Sequence, residues 1–170
     1  MKKRIIQFLT TYFLFVLLFV LQKPIFMVYY HDLYTNASLG DYFRVMWHGL
    51  PLDLSLAGYL TAIPGILLIA SAWTNSSILR RIRQGYFGVI AFVMACIFII
   101  DLGLYGFWGF RLDATPIFYF FSSPKDAMAS VSFWFVLLGI LAILIYAAIL
   151  YCIFSVSYTH LRAHETKANL

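Results

Sequence analysis

Charged residues are scarce in this chain. Only 11% of the 170 residues are Asp, Glu, Lys or Arg, whereas 63% are hydrophobic and the mean hydropathy is +0.87. A soluble domain of this length needs more polar surface to cover its core, so the composition excludes an ordinary soluble protein. Lipid is therefore the expected solvent for most of the chain.

Cysteine is nearly absent. Cys96 and Cys152 each lie alone in an apolar run, which excludes a CxxC redox motif and a cysteine-based zinc site, and both are predicted to be buried small hydrophobes. The formal net charge is +5, but the basic residues flank apolar runs rather than forming one surface. We therefore predict no nucleic-acid partner.

Four apolar runs of roughly the length that spans a bilayer as a helix, about 20 residues, recur along the sequence. They predict an all-α fold, a polytopic transmembrane helical bundle whose partners are membrane lipids. The predicted transmembrane helices cover about 5–28, 52–73, 86–106 and 127–154. Pro124 after Ser123 marks an expected start for the fourth helix, running on to Phe154.

A short amphipathic helix is predicted over about 39–50. Apolar residues fall on one face from Leu39 to Leu50, and Ser38 with Asp41 forms a capping-box-like start. This helix either lies in the outer membrane interface or packs on the bundle. The pattern alone fits both placements.

Basic residues predict the orientation. The two richest basic clusters, Lys2 to Arg4 and Arg80 to Arg83, are separated by two predicted crossings. Basic residues favour the cytoplasmic side, so we expect a cytoplasmic amino terminus and external segments at 29–50 and 106–126.

Two acids lie in or beside the apolar runs, where an ionisable group is costly and suggests function by default. Asp53 is interpreted as a first-turn acid of the second helix, stabilised by the helix dipole, or as a functional intramembrane group. Asp101 is expected either to pair with Arg111 or to line a polar cleft.

The densest polar cluster lies around Arg111 and Asp113, among aromatic residues that include Trp108 and Tyr119. An arginine in this setting is a candidate for binding a lipid phosphate or a neighbouring domain. The alternative is that Arg111 and Asp113 satisfy each other. The sequence offers no catalytic, cofactor-binding or metal-binding constellation; His31 and Asp32 alone are weak evidence for a metal.

Several ordered segments resemble the membrane region of bacterial lipoteichoic acid synthase-like proteins. They are DLGLYGFWGFRLDATP (101–116), SPKDAMAS (123–130), HGLPLD (48–53) and GYLTAIP (58–64). The resemblance implies about five amino-terminal membrane helices in the bacterial inner membrane, followed by an extracytoplasmic domain of the sulfatase and alkaline phosphatase type. Such proteins transfer phosphoglycerol or a related head group from a lipid, with a threonine nucleophile and a divalent metal.

None of those catalytic residues can be carried onto this sequence. We therefore expect a membrane anchor and lipid-approach module, without activity or cofactor of its own, whose partner is the missing carboxy-terminal domain. The rival hypothesis is a small four-helix transporter or channel subunit that uses Asp53 and Asp101. A partner-binding membrane subunit is a third class.

The carboxy-terminal residues 155–170 are expected to be non-native. The stretch from Val156 to Thr166 resembles translated sequencing-adapter DNA, which places the expected end of authentic sequence near Ser155. The alternative is a genuine cytoplasmic tail.

Overall fold

The structure, a computed structural model, describes residues 2–71, 73, 77–129 and 131–167. Within these ranges every regular element is helical, which confirms the all-α fold class. In chain order the elements are α1 (Lys2–Tyr29), a 3-10 turn (His31–Tyr34), α2 (Leu39–Ala70), α3 (Ser77–Trp108), α4 (Thr115–Ser122), α5 (Pro124–Ala129) and α6 (Phe133–Lys167).

Four of the described helices are long and apolar enough to cross a membrane. These spans are Arg4–Tyr29, Leu39–Ala70, Ser77–Trp108 and Phe133–Ser157. The protein is thus a multi-pass membrane protein, an all-α transmembrane bundle as the composition predicts.

The prediction of a separate helix over 39–50 is wrong, because these residues form the first part of α2. Pro51 lies inside the helix without ending it. A proline removes one backbone hydrogen bond, and transmembrane helices tolerate that loss where neighbouring groups compensate. The predicted start is confirmed: the Asp41 carboxylate accepts hydrogen bonds from the Ser38 N–H (2.9 Å) and the Ser38 hydroxyl (2.8 Å).

The prediction of one continuous helix from Pro124 to Phe154 is also wrong. Pro124 does start a helix, but α5 ends at Ala129 and α6 begins at Phe133. The Ser132 hydroxyl accepts a hydrogen bond from the Phe135 N–H (3.2 Å), which caps the new helix. α6 continues through Ser155 to Lys167, and residues 168–170 of the questioned tail lie outside the described residues.

The chain divides into two compact units, Met1–Tyr86 with Ile153–Leu170 and Phe87–Cys152. In the first unit, α1 and α2 form an antiparallel hairpin. Gly65 permits their close approach, since a Cβ there would lie 2.8 Å from the Phe8 ring. At one end, the Arg4 guanidinium donates to the Ser71 carbonyl (3.1 Å). The amino terminus and the end of α2 therefore meet.

A proline in α2 is compensated by a tyrosine of α3 within the same unit. Pro64 has no N–H, so the Leu60 carbonyl lacks its usual helical donor. The Tyr86 hydroxyl donates a hydrogen bond to that carbonyl (2.7 Å). This contact joins α2 to the third turn of α3 at the carbonyl that Pro64 leaves without a helical donor.

In the second unit, aromatic rings connect α3 with α6. The Phe98 ring centroid lies 5.4 Å from that of Tyr146, and the Phe107 centroid lies 5.3 Å from that of Phe135. Asp101, three residues after Phe98, is buried on the same side of α3 as that ring. A buried acid thus lies about two turns before the end of α3.

Candidate functional site

The segment after α3 turns back on the helix that precedes it. Gly109 has φ +71°, a left-handed conformation that favours glycine, and its N–H donates to the Tyr105 carbonyl (2.8 Å). This arrangement ends the helix and reverses the chain. Residues 110–112 are thereby directed back toward Asp101.

Asp101 fixes the returning segment through both carboxylate oxygens. Its Oδ2 accepts from the Arg111 Nε at 2.7 Å and lies 2.6 Å from Nη2, and its Oδ1 accepts from the Leu112 N–H at 2.6 Å. The prediction that Asp101 pairs with Arg111 is confirmed. Two guanidinium nitrogens on one carboxylate set the direction of the arginine as well as its position.

Burial is very unequal within this ion pair. The Asp101 side chain is 4% exposed, whereas the Arg111 side chain is 58% exposed. An unpaired acid at membrane depth costs about 2.5–3.5 kcal/mol on insertion scales, so its cation and backbone donor offset a large penalty. The buried Asp101 carboxylate holds the arginine in place, and the Arg111 side chain is the exposed member of the pair.

The interpretation that Asp113 and Arg111 satisfy each other is wrong, because Asp113 binds Thr115. Its Oδ1 accepts from the Thr115 N–H (2.8 Å), and its Oδ2 accepts from the Thr115 hydroxyl (3.1 Å). The carboxylate therefore holds the first residue of α4. Asp113 shapes the backbone beside Arg111 rather than neutralising it.

Trp108 and Tyr119 are brought together as the sequence suggested. Their ring centroids lie 6.4 Å apart in an edge-to-face arrangement, and Phe110 lies 5.5 Å from Trp108. Aromatic contacts of this kind contribute about 0.5–1.5 kcal/mol each beyond area burial. The rings thus connect α4 to the end of α3 independently of the ion pair.

Asp53 lies far from the start of its helix, so its interpretation as a first-turn acid is wrong. It is the fifteenth residue of α2 and is buried. Both carboxylate oxygens approach the Lys23 ammonium of α1, at 2.6 Å and 2.5 Å. A cation and an acid from adjacent membrane helices thus neutralise each other, with side chains 19% and 10% exposed.

Sequence reasoning missed Lys23 and the glycine that accommodates it. A Cβ at Gly49, one turn before Asp53, would overlap the Lys23 Cε. One signal in the sequence could have identified Lys23 as the partner of Asp53. Lys23 is the sole Lys, Arg, Asp or Glu between Arg4 and Asp32. It falls near the end of the first apolar run, as Asp53 falls near the beginning of the second.

The described residues do not fit a divalent metal. Across the described side chains, no three His, Cys, Asp or Glu are grouped as metal ligands, and the four acids discussed above already accept hydrogen bonds from protein groups.

Comparison with known proteins returned no relative. No protein-family model, no curated protein and no solved structure matches this chain. Functional inference consequently depends on the two ion pairs, the aromatic cluster and the membrane-spanning helices themselves.

Proposed function

We propose that this chain is the membrane anchor and lipid-approach module of a phospho-head-group transferase similar to lipoteichoic acid synthases. In this proposal the chemistry belongs to an extracytoplasmic domain outside the 170 residues. That domain carries the divalent metal and the nucleophile, and the anchor supplies position at the membrane surface.

The observation that carries the proposal is the exposed arginine held by a buried acid. Asp101 orients the Arg111 guanidinium through their ion pair. Asp113 fixes the backbone after Arg111 by binding Thr115, and the Trp108–Tyr119 ring contact holds α4 against the end of α3. The planar guanidinium group can donate two parallel hydrogen bonds to two oxygens of a phosphate. Its exposed fraction of 58% leaves most of its surface accessible to a lipid head group or to a neighbouring domain.

Orientation is part of the proposal. Arg4 contacts Ser71 at the end of α2, and Arg80 follows at the start of α3, so basic residues gather at one end of the first unit. The positive-inside tendency assigns that end to the cytoplasm. α3 then ends on the external side of a bacterial inner membrane, where a lipid-modifying domain would work.

The transporter hypothesis receives less support from the geometry. Both of its acids are already engaged: Asp53 with Lys23, and Asp101 with Arg111 and the Leu112 N–H. A proton or cation relay would have to break a close ion pair in each cycle, which costs several kcal/mol in a buried setting. Close ion pairs of this kind are better suited to stabilising the contacts between segments of the chain than to carrying protons or cations in a transport cycle.

Lipid binding by the purified chain tests the proposal. In micelles of a neutral, phosphate-free detergent doped with phosphatidylglycerol, we expect Arg111→Gln to weaken phosphatidylglycerol retention roughly tenfold or more, since a charge-assisted hydrogen bond contributes about 1.5–3 kcal/mol. Arg44→Gln is the matched control, because the Arg44 side chain is 80% exposed and its contact with Asp41 is weak, with 3.9 Å between Nη1 and Oδ1. Equal retention by both variants would contradict the lipid-approach role.

Two further measurements separate the classes of function. Resequencing the source DNA across codons 151–170 and beyond is expected to reveal a fifth helix and a metal-dependent domain. Liposomes containing the purified chain are expected to pass no ions. Ion flux that disappears in Asp101→Asn would favour the transporter instead.

A further inference from the structure

We propose that α4 is inserted in the membrane interface, with lipid as the partner of its apolar surface. This inference goes beyond the proposed function, because it concerns the exposed apolar surface of α4, whereas the proposed function concerns Arg111 and the groups that hold it. It requires no particular enzyme class. The apolar surface of α4 is an interaction surface, and phospholipids contact it at the level where head groups meet acyl chains.

The first observation is exposure on every side of the helix. Five consecutive apolar residues of α4 are exposed, with Phe118 at 75% and Phe121 at 78%. The other three are Ile117, Tyr119 and Phe120, at 58%, 42% and 47%. A helix that packs on protein hides one face, whereas one that is apolar all round needs an apolar solvent. Contiguous exposed apolar surface of this kind marks an interaction site.

The second observation is depth. Asp101 lies seven residues before Trp108, the last residue of α3, which is about 10 Å along a helix axis. The Leu112 N–H contacts Asp101 directly, so the chain entering α4 begins well below the end of the membrane-spanning helix. Tyr119, in the middle of α4, reaches the Trp108 ring. α4 therefore runs alongside the last turns of α3.

The membrane boundary falls at the same level. The basic start of α3 ends near Gln84, and about 20 residues of helix cross the hydrocarbon core, which brings its outer limit to about residue 105. Trp108 and Tyr119 then lie at the depth where amphipathic rings concentrate.

Charge on both sides of α4 fits this position. Arg111 precedes the helix with its side chain 58% exposed, and Lys125 follows it in α5 and is also exposed. Asp113 and Asp126, also exposed, lie beside these two cations, so both ends of α4 carry charges of both signs. Charged groups on each side of an apolar helix match the polar head-group region above the acyl chains. The membrane interface satisfies both the rings and the charged groups, whereas water satisfies the charged groups alone.

Site-specific quenching in bilayers tests the proposal on the full chain. Single cysteines at Phe118 and Phe121, in a Cys96→Ala, Cys152→Ala background, are labelled with an environment-sensitive fluorophore and reconstituted. Quenching is measured with nitroxides on the lipid head group, at a shallow acyl position and at a deep acyl position, and with aqueous iodide. Both sites are exposed, so labelling removes no buried contact.

Two control positions calibrate depth. Val93→Cys is exposed within the span of α3, and Asn36→Cys is exposed in the link between the 3-10 turn and α2. We expect both α4 sites to be quenched most by the head-group and shallow nitroxides, with iodide quenching reduced to the level at Val93→Cys. Iodide quenching equal to that at Asn36→Cys would place α4 in water and overturn the proposal. Protection from every quencher would also overturn it, because a protein surface would then cover the helix.

Discussion

The Lys23–Asp53 ion pair allows the cohesion of the α1–α2 hairpin to be measured directly. We consider Lys23→Met, Asp53→Asn and the double variant. Each single change leaves one charge without its partner between two apolar helices, whereas the double change removes both. The side chains are 19% and 10% exposed, so neither charge reaches water freely.

The magnitude follows from the geometry. At about 4 Å and an effective dielectric constant near 20, two unit charges attract by about 4 kcal/mol, and the ammonium lies within 2.6 Å of both oxygens. Removing one partner of a buried pair costs about 3–5 kcal/mol. We take the lower end, about 3 kcal/mol for each single variant, because burial is incomplete. The double variant should cost little more than either single one.

Equilibrium unfolding in mild-detergent micelles titrated with dodecyl sulfate, followed by tryptophan fluorescence, measures these free energies. The cost of the double variant should fall short of the sum of the single costs by about 3 kcal/mol. Arg44→Met serves as the control, since its contact with Asp41 is long at 3.9 Å and exposed, and it should leave unfolding unchanged. Strictly additive losses would refute the pairing as a source of cohesion.

Three further substitutions are expected to destabilise the protein in the same assay. Gly49→Leu should displace the Lys23 side chain, and the loss caused by this substitution should vanish in a Lys23→Ala background, where the overlapping Cε is absent. Tyr86→Phe should cost about 1–3 kcal/mol, because the carbonyl freed by Pro64 loses its donor; no loss would show that another group replaces the hydroxyl. Gly109→Ala should cost about 1–2 kcal/mol through its left-handed backbone, and a neutral result would contradict that conformation.

Helix positions were predictable from the sequence because membrane spans depend on length and composition alone. Helix boundaries were less so. Pro51 suggested an interruption that a long apolar helix tolerates, and Ser132 is a cap that was masked by the apolar residues on both sides. Local signals that compete with a continuous apolar pattern are difficult to weigh before the packing is known.

The candidate site was predictable in composition but only partly in pairing. The pair of Asp101 with Arg111 was one of two alternatives for Asp101, and a single turn-back closes the ten residues between them. Lys23 with Asp53 required knowing that α1 and α2 pack as a hairpin in one register. Asp113 was adjacent to Arg111 in sequence, yet backbone geometry directs it to Thr115 instead. Contacts between elements depend on register, which composition does not specify.

Both intramembrane acids are neutralised by cations that are close in the sequence, and this locality bears on what the charges do. Asp101 meets Arg111 across one loop, and Asp53 meets Lys23 across one hairpin. Each pair needs only adjacent segments of the chain, so the insertion penalty of about 2.5–3.5 kcal/mol per unpaired acid is reduced without any contribution from distant helices. A transport relay instead needs acids that change partners or protonation during each cycle. Pairs made locally and held within hydrogen-bond distance are suited to fixing the hairpin and the end of α3, and thereby the position of Arg111 relative to α3.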